Sequence, residues 1–515
     1  MLVILFALCI ACSISWQFST FYRSRLAGFP GPISRKFTDI FQFVDAFKGQ
    51  TVKYLQECHQ RYGKVVQIGP RTVSISDPAM IPLIYGIRNP LPKSHHWSVW
   101  ENEFNGKLVP SVLYAQETSK HGMLKRPVAG VYSMSNVIKQ EPFIDTTIVQ
   151  FIKKLDQDFT VRGDEGKSVP IHSWMHYFAY DAVMKLTLSS DFGFIEAGGD
   201  REGIFSGVDA VLRYRAMVFT MPWIHSLVRR SPIVGLFKKR MAAFQRRARG
   251  LIDKRMTQGA PDPSRYDLLS QFLESQKASP QVVNDLVLNG YVVLPLLAGA
   301  DTVAIVLGTL VYQLGQHVAV ATKLQEELEA AKLSLPPAYA AVQGLPFLNA
   351  VVKESLRIHP IMAFLSRRVV PAGSGLKLPD GRILPPGTIV GISPWVTHFD
   401  EEAFGSDAKE FRPSRWLQEA EEPSAEYAKR LKAMNATDLA WGAGNRSCLG
   451  KNIALAEIYK LVATLYSLFD ISLVDPSASL RFTETLLTKQ QSINVRFSYR
   501  DSANVDALLD ADKTS

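Results

Sequence analysis

The sequence predicts a mainly α-helical fold with a small β subdomain. Helical patterns occur at residues 284–316, which form a long apolar segment, at residues 325–332, which form a charged helical face, and at residues 348–357. Short β-type runs occur near residues 65–75, 376–390 and 493–497. The chain has 515 residues, 47% of them hydrophobic, and no Gly/Ser-rich linker or internal repeat divides it. We therefore expect one large domain, residues 33–500, behind an N-terminal anchor.

The N-terminus has the composition of a membrane anchor. Residues 2–18 are apolar and uncharged, near the short end of what spans a bilayer. Arg23 and Arg25 follow directly, which places this flank in the cytosol. We assign residues 1–20 to the anchor and residues 21–32, with Pro30-Gly31-Pro32, to a hinge. A cleaved signal peptide is the alternative, but it lacks a basic region before the apolar run.

The long apolar segment 284–316 is better read as a buried helix than as a second membrane span. Asp301 and Gly299 lie in its middle, and a lone carboxylate in hydrocarbon costs about 2.5 kcal/mol or more. Pro295 removes one hydrogen bond inside this helix and favours a kink there. The acidic end, residues 501–515, reads as a solvated, disordered tail.

The net charge indicates the type of binding partner, and the cysteine content indicates the redox compartment. The net charge is +10, but the basic residues form no arm or motif typical of nucleic-acid binding. An anionic membrane surface and an acidic protein partner explain the excess better. Only four cysteines occur, so no disulfide framework is available and a reducing compartment fits; they are Cys9, Cys12, Cys58 and Cys448.

The stretch from Trp441 to Gly450 is the most informative motif. Cys448 lies in a loop spaced by glycines such as Gly444, and a helical pattern begins at Lys451. Glycines allow backbone N–H groups to approach the sulfur, as a thiolate ligand of haem iron requires. Arg446 can meet a haem propionate through its guanidinium. An inert, buried cysteine in a turn is the alternative for this loop taken alone.

Three further motifs accompany the cysteine loop in a fixed order. They are Ala298-Gly299-Ala300-Asp301-Thr302, the pair Glu354 and Arg357, and Pro413, Arg415 and Trp416. Together the four motifs resemble the cytochrome P450 family of haem-thiolate monooxygenases. The amino-acid patterns of segments 59–70 and 393–400 resemble those of the fungal secondary-metabolism branch that includes pisatin demethylase-type enzymes.

The resemblance implies a haem b site. Cys448 would be the axial ligand of the iron, and Trp441 and Gly444 would lie on the proximal side of the haem. His121 and Lys125 match the family's propionate contacts on its third long helix, although the family more often has tryptophan and arginine there. Arg368 matches a further propionate contact, with neighbouring Arg367 as the alternative by one residue.

The resemblance also assigns roles away from the iron. Asp301 and Thr302 would deliver protons to oxygen through water. Glu354 and Arg357 share one helix face at i, i+3 spacing and would join Arg415 in a buried network that fixes the cysteine loop. Taken alone, Glu354 and Arg357 would more often form a surface pair of little worth. The expected substrate pocket is apolar, which suits a lipophilic ligand; its predicted residues are Leu297, Ala298, Ile361, Met362, Ala363 and Phe364.

The predicted function is a monooxygenase anchored in the endoplasmic reticulum with its catalytic domain in the cytosol. It would use O2 and electrons from NADPH, delivered by NADPH-cytochrome P450 reductase with cytochrome b5 as an optional second partner, to oxidise a lipophilic small molecule of secondary metabolism. One alternative is a P450-fold enzyme that rearranges or dehydrates its substrate without external electrons. Another is a non-catalytic haem-binding membrane protein, which would not need Thr302 or the Glu354–Arg357 pair.

Overall fold

A computed structural model describes residues 25–104, 106–160, 166–230, 249–257, 259 and 266–514. The predicted anchor, residues 1–20, lies outside these residues. Residues 25–32 of the predicted hinge are packed against the domain: Leu26 and Phe29 are buried, and the Pro30 carbonyl accepts a hydrogen bond from the Gln67 N–H (2.7 Å). This part of the hinge is therefore part of the folded unit.

Helices make up most of the described chain, as the sequence predicted. In chain order they are α1 (Ile40–Lys48), α2 (Thr51–Tyr62), α3 (Ile81–Tyr85), α4 (Thr118–Lys125), α5 (Met134–Lys139), α6 (Glu141–Phe159), α7 (Ile171–Leu188), α8 (Phe194–Ala197), α9 (Ile204–Val218), α10 (Pro222–Arg230), α11 (Leu268–Ala278), α12 (Asp285–Ala298), α13 (Ala300–Gln316), α14 (Val318–Ala330), α15 (Tyr339–Val342), α16 (Pro346–Ile358), α17 (Pro394–Thr397), α18 (Glu401–Phe404), α19 (Ser424–Thr437), α20 (Lys451–Leu468) and α21 (Ser502–Thr514). Residues 249–257 are also helical.

The strands are short and confirm the small β subdomain. They are β1 (Val65–Gln67), β2 (Thr72–Ile75), β3 (Glu103–Phe104), β4 (Lys107–Leu108), β5 (Val169–Pro170), β6 (Arg368–Val369), β7 (Leu376–Lys377), β8 (Ile383–Leu384), β9 (Ile389–Gly391), β10 (Phe469–Leu473), β11 (Arg481–Glu484), β12 (Thr488–Gln491) and β13 (Asn494–Tyr499). The largest sheet has the order β1-β2-β9-β6, in which β2 and β9 are parallel and the other pairs are antiparallel. A second sheet has the order β10-β13-β5.

The apolar segment 284–316 forms α12 and α13, which cross the main hydrophobic core. Asn284 begins α12, since its side chain accepts hydrogen bonds from the N–H groups of Leu286 and Val287 (3.1 Å each). The two helices meet at Gly299, where a Cβ would lie 2.8 Å from the Pro295 carbonyl oxygen and 3.0 Å from Val183 Cγ2. Glycine therefore permits the close approach of this segment to α7.

Among the described residues, one helical stretch, Asp285–Gln316, is long and apolar enough to cross a membrane by length and composition, and 67% of an apolar 18-residue window within it is buried inside the protein. The burial confirms the prediction of a core helix.

The predicted disordered tail is wrong for residues 502–514, which form α21. Val505 and Leu508 are buried in the main core beside α20 and α6. Helical apolar spacing within an acidic stretch thus buries one face of α21, and burial of two aliphatic side chains stabilises it by about 1.5–3 kcal/mol each. The acidic residues of this stretch made its helical apolar spacing hard to recognise in the sequence.

Candidate active site

The loop before α20 brings the Cys448 backbone back onto Trp441. The Cys448 N–H donates to the Trp441 carbonyl (2.8 Å), and Gly442 and Gly444 both adopt left-handed backbone conformations, with φ of 67° and 63°. A Cβ at Gly444 would lie 1.7 Å from the Tyr85 carbonyl oxygen at the end of α3. Only glycine fits there, so the loop is fixed against α3.

Burial dominates the pKa of the Cys448 thiol, which is raised, although nearby groups favour the charged form. Burial raises the pKa of the thiol, whereas hydrogen bonds from the N–H groups of Gly450 and Lys451 and the Lys451 charge lower it. These N–H groups lie at the start of α20, where the helix dipole also favours negative charge. Cys448 is nonetheless exposed, and the space beside it is called the cleft below. This arrangement suits a thiolate that binds a metal.

Four cations converge on one side of this cleft. Arg446 donates to the Ala115 carbonyl (2.7 Å), Lys125 donates to the Asn445 carbonyl (3.2 Å), and Arg368 donates to the Ser366 hydroxyl (3.2 Å). The fourth cation is Lys93, which the sequence-based analysis missed. It forms a β-bridge with Arg368, a long-range pairing that left no local signal in the sequence.

The charges of this cluster act on one another. Burial and the surrounding charges of Arg446, Lys125, Lys93 and Arg368 lower the pKa of His121 to about 3. Burial, followed by Arg368 and Arg446, holds the pKa of Lys93 well below its usual range. His121 is therefore neutral at physiological pH, and the cluster favours added negative charge.

Among the described residues, no carboxylate lies within salt-bridge distance of Lys93, Lys125, Arg368 or Arg446, although other buried cations of the protein have such partners. The two negative charges of haem propionates would satisfy this cluster. The accessible Cys448 thiol supplies the axial donor. The residues present thus fit a haem.

Arg367 and Arg368 lie in different surroundings. Arg368 lies beside Lys93 and Arg446, as expected of a propionate contact. Arg367 instead donates to the Gln42 side chain (2.8 Å) on α1. Neighbouring residues of a strand face opposite sides, so only one of the two arginines can face the cleft.

Glu354 is the centre of a buried network that matches the predicted one. Its carboxylate accepts hydrogen bonds from Arg357 Nε (2.9 Å) and Nη2 (2.7 Å), Arg415 Nε (2.9 Å), Trp416 Nε1 (2.8 Å) and the Arg412 N–H (2.9 Å). Glu354, Arg357 and Arg415 are each at most 2% exposed. The alternative of a surface pair is thereby excluded for Glu354 and Arg357.

His398 connects this network to the cysteine loop and was not predicted as a site residue. Its Nε2 accepts a hydrogen bond from the Leu439 N–H (2.8 Å), so Nδ1 carries the proton and faces the Arg357 carbonyl (3.3 Å). Burial lowers the pKa of His398, which keeps it neutral. The α16 network is thus coupled to the chain two residues before Trp441.

Asp301 and Thr302 are adjacent in α13 but differ in their contacts. The Asp301 carboxylate is buried and lies 2.8 Å from Lys489 Nζ on β12 and 3.3 Å from His176 Nδ1 on α7. Burial alone would raise the pKa of Asp301, but Lys489 and His176 lower it below its usual value. The half-buried Thr302 hydroxyl donates to the Ala298 carbonyl (2.7 Å). No direct hydrogen bond joins the two side chains within the described part of the chain.

The predicted pocket residues fall into distinct groups. Ile361, Met362 and Phe364 are half-buried and pack against a cluster that contains Ile305 of α13. Ala298 is exposed and Leu297 half-buried in a helix that is otherwise mostly buried, which identifies the accessible strip of α12. Ala363 differs: it is buried against Val52 and Trp395 in another cluster.

Trp441 is half-buried, and Lys451 Nζ lies 5.9 Å from its ring centroid. Within the described residues its indole N–H makes no hydrogen bond with Cys448. Its backbone carbonyl, rather than its side chain, contacts the cysteine.

Comparison with known proteins agrees with this geometry. The family model for Cytochrome P450 matches residues 30–497. The chain is 32% identical to cytochrome P450 monooxygenase vrtE of Penicillium aethiopicum, over 95% of this chain and 93% of that protein. It is 30% identical to cytochrome P450 monooxygenase cfoH of Aspergillus candidus (99% and 95% covered) and 33% identical to cytochrome P450 monooxygenase cicH of Emericella nidulans (93% and 95% covered).

These matches confirm the prediction of a haem-dependent monooxygenase of the fungal secondary-metabolism type. The finer likeness to pisatin demethylase-type enzymes stays a prediction. Because the family model covers nearly all of the domain and the relatives are matched over almost their whole length, the chain belongs to the cytochrome P450 family.

Proposed function

We propose that this protein is a membrane-associated haem-thiolate monooxygenase that oxidises a lipophilic small molecule with O2 and NADPH-derived electrons. The observation that carries the proposal is the Cys448 thiol, which accepts two backbone N–H bonds beside a cluster of cations for which the described residues provide no carboxylate partner. The reductase supplies the electrons, with cytochrome b5 as an optional second donor. The reaction belongs to a secondary-metabolite pathway.

Bound haem supplies the redox chemistry that activates O2. Cys448 would hold the iron, and Arg446, Lys125, Arg368 and Lys93 would hold the propionates. The neutral His121 lies among them and can donate a hydrogen bond without adding charge. Gly444 and the network of Glu354 keep the cysteine loop in one conformation, so the sulfur needs no rearrangement.

Thr302 has a hydroxyl suited to holding a proton near the cleft. Because its own hydrogen is committed to the Ala298 carbonyl (2.7 Å), its lone pairs remain available to accept from water. Asp301 is ionised and lies between Lys489 and His176, and Lys489 also pairs with the half-exposed Asp209 (2.5 Å). The linked ion pairs of Asp209, Lys489 and Asp301 would give protons a route from solvent towards Thr302.

Substitution of Thr302 by alanine tests this function. In reactions reconstituted with the reductase, Thr302→Ala should keep its haem but release as hydrogen peroxide a several-fold larger share of the NADPH electrons. Thr309→Ala is the matched control, because Thr309 lies on the same helix with its hydroxyl bonded to the Ile305 carbonyl (2.8 Å), buried away from the cleft.

An unchanged yield of product per NADPH in Thr302→Ala would remove Thr302 from the mechanism. Turnover of a substrate by the wild-type protein without reductase or NADPH would instead support the rearranging enzyme and contradict the monooxygenase.

Membrane association has support from the surface as well as from residues 2–18. Phe47 of α1 is 64% exposed, and Trp223 and Leu227 of α10 are 58% and 61% exposed. Both helices contact α9, and a membrane face is proposed on the side of the protein that carries these apolar side chains. We assign the protein to the cytosolic face of the endoplasmic reticulum, where this side and the N-terminal segment would enter the bilayer.

A chain lacking residues 1–20 should remain partly bound to microsomal membranes, and Trp223→Ser with Leu227→Ser should release it. Val318→Ser is the control, since Val318 is a 69% exposed apolar residue on α14. If the truncated chain without surface substitutions were released completely from the membranes, the proposed membrane contact at α10 would be contradicted.

A further inference from the structure

Arg367 is a buried arginine that the haem site does not use. Its side chain is 4% exposed and faces the opposite side of the chain from Arg368 and the cation cluster. It lies where α1, the end of α9 and the segment after α16 meet. An arginine so deeply buried needs acceptors for its hydrogen bonds, because unpaired donors are costly.

The hydrogen bonds of Arg367 use only some of the N–H donors of its guanidinium. Nη2 donates to Gln42 Oε1 (2.8 Å), Nη1 makes a long contact with the Phe219 carbonyl (3.5 Å), and Nε is buried without a partner among the residues that the structure describes. The guanidinium has five N–H donors, so these contacts leave more than half of its capacity for another acceptor. The remaining N–H groups of Arg367 can therefore donate to oxygen atoms of a ligand.

The charge of Arg367 is only indirectly balanced. Asp39 is its electrostatic partner, but they are connected through Gln42, whose side-chain amide donates to Asp39 Oδ1 (2.6 Å). Burial raises the pKa of Asp39 to about 6, against the opposing effect of Arg367. Within the described residues no carboxylate lies at salt-bridge distance from Arg367, so an anion placed at Nε would meet an available positive charge.

Arg367 borders a small cavity whose other walls are largely apolar. Its volume is about 30 Å³, and its walls include Tyr54, Ala216, Phe219, Phe364, Leu365 and Thr485. One water-sized site needs roughly 10–15 Å³ by this measure. The cavity therefore has room for about two oxygen atoms, the size of a carboxylate head group and not of a whole substrate. Asp45 also lines it, but its charge is matched by Arg35 (2.5 Å).

Aromatic side chains connect this cavity with the predicted substrate side. The ring of Phe364 lies 5.0 Å from that of Phe219 and 5.9 Å from that of Trp97. These three belong to the cluster that also contains Ile305 of α13 and Ile361. The rings of Phe364, Phe219 and Trp97 therefore lie between Arg367 and α13, and an apolar body attached to a head group at Arg367 would contact them.

We propose that Arg367 binds the carboxylate of a lipophilic carboxylic acid, so that the substrate class of this enzyme is an apolar acid held by its head group at the cavity beside α1. The proposal rests on the proposed monooxygenase function. It predicts that the carbon which is oxidised lies distant from the acid group, since the head group is held apart from the haem side of the strand.

Binding of matched acid and ester probes to the purified holoprotein tests this proposal. Calorimetry would measure dissociation constants for dodecanoate and 2-naphthoate and for their methyl esters. The wild-type protein should bind the better-fitting acid at least tenfold more tightly than its ester. Arg367→Met should weaken binding of that acid by about ten- to a hundredfold while the ester changes by less than about threefold, because charge-assisted hydrogen bonds are lost.

Two further variants separate recognition from packing. Arg367→Lys should keep part of the preference for the acid. Gln42→Leu removes the bond that ties Arg367 to α1 but leaves the guanidinium, and it should keep the preference. Equal loss of acid and ester affinity in Arg367→Met and Gln42→Leu would show a structural tie and overturn the proposal.

Wild-type protein that binds neither acid, or binds acid and ester equally, also overturns the proposal, whatever its haem spectrum. The reduced, CO-bound spectrum of the same samples reports separately on the proposed function. A normal thiolate-type spectrum with no acid preference refutes only the substrate class, whereas a missing thiolate spectrum refutes the haem site itself.

Discussion

The cysteine side and the substrate side of this protein are held together in different ways. Around the cysteine loop, Glu354 alone accepts five hydrogen bonds, and His398 carries the connection to Leu439. Around Phe364, the contacts are between rings, such as the edge-on contacts with Phe219 (5.0 Å) and Trp97 (5.9 Å). Directional bonds fix positions, whereas apolar contacts tolerate changes of shape.

This difference separates two kinds of constraint. The cysteine side is constrained by haem chemistry that is common to the family, whereas the side around Phe364 can vary in shape with the substrate. A metal ligand has to lie in one place, so every polar group of the network has a partner. A pocket for one particular lipophilic molecule needs the right volume and one or two polar groups. The buried Arg367 is the polar group that stands out on the substrate side.

The largest effect is expected for Glu354→Gln. The amide can accept with one oxygen only, and its NH2 group would face the guanidinium groups of Arg357 and Arg415, which are at most 2% exposed. Removing one partner of a buried ion pair costs about 3–5 kcal/mol. The variant should lose most of its haem, measured as the ratio of haem to protein, and unfold at a much lower denaturant concentration.

Asp407→Asn is the matched control, because Asp407 also pairs with Arg415 (3.1 Å) but its side chain is 33% exposed. It should cost less than about 1 kcal/mol. Equal effects of the two variants would mean that the buried network contributes no more than an exposed pair, and the comparison between the two sides would fail.

An intermediate effect is expected for Asp301→Asn, which removes the partner of Lys489 on β12 but leaves Asp209. The free energy of unfolding at pH 7 should fall by about 1–3 kcal/mol. Because Lys489 and His176 lower the pKa of folded Asp301, its contribution is present above the unfolded pKa of about 3.9 and is lost as pH falls below it.

The difference between Asp301→Asn and the wild-type protein should therefore stay constant from pH 7 to about pH 5 and shrink under more acid conditions. Denaturant titrations at several pH values measure it. A difference that stays unchanged below about pH 4 would show that the charge of the carboxylate does not control the interaction.

The smallest effect on stability is expected for Phe364→Leu. Loss of the ring contacts with Phe219 and Trp97 should cost about 1 kcal/mol, and the haem content should not change. Its effect should appear in ligand binding, because the altered wall changes which apolar bodies fit. A loss of haem as large as that of Glu354→Gln would erase the distinction between the two sides.

The sequence predicted the motifs of the cysteine side well, because each is local. Glu354 and Arg357 lie one helical turn apart, and the glycine loop surrounds Cys448 within ten residues. The charges that complete the site were harder to predict. Lys93 reaches the cluster only through its β-bridge with Arg368, and His398 reaches Leu439 across a loop, so both depend on pairings between distant segments.

For the predicted pocket residues, the sequence indicated apolar character but not the side towards which each side chain faces. Met362 and Phe364 contact the cluster of Ile305, whereas Ala363 between them faces Val52 and Trp395. The alternation follows from the extended backbone that pairs with residues 486–488, which local composition does not reveal. The same alternation separates Arg367 from Arg368.

The reduced, CO-bound absorption spectrum of the wild-type protein and of Cys448→Ala tests the central claim most directly. The thiol accepts hydrogen bonds from the N–H groups of Gly450 and Lys451, which stabilise the thiolate required of an iron ligand. We expect the wild-type protein to show the red-shifted band of thiolate-ligated haem and Cys448→Ala to lack it, while Cys58→Ala, at the other described cysteine, keeps it. Persistence of the band in Cys448→Ala would contradict the assignment of the haem site.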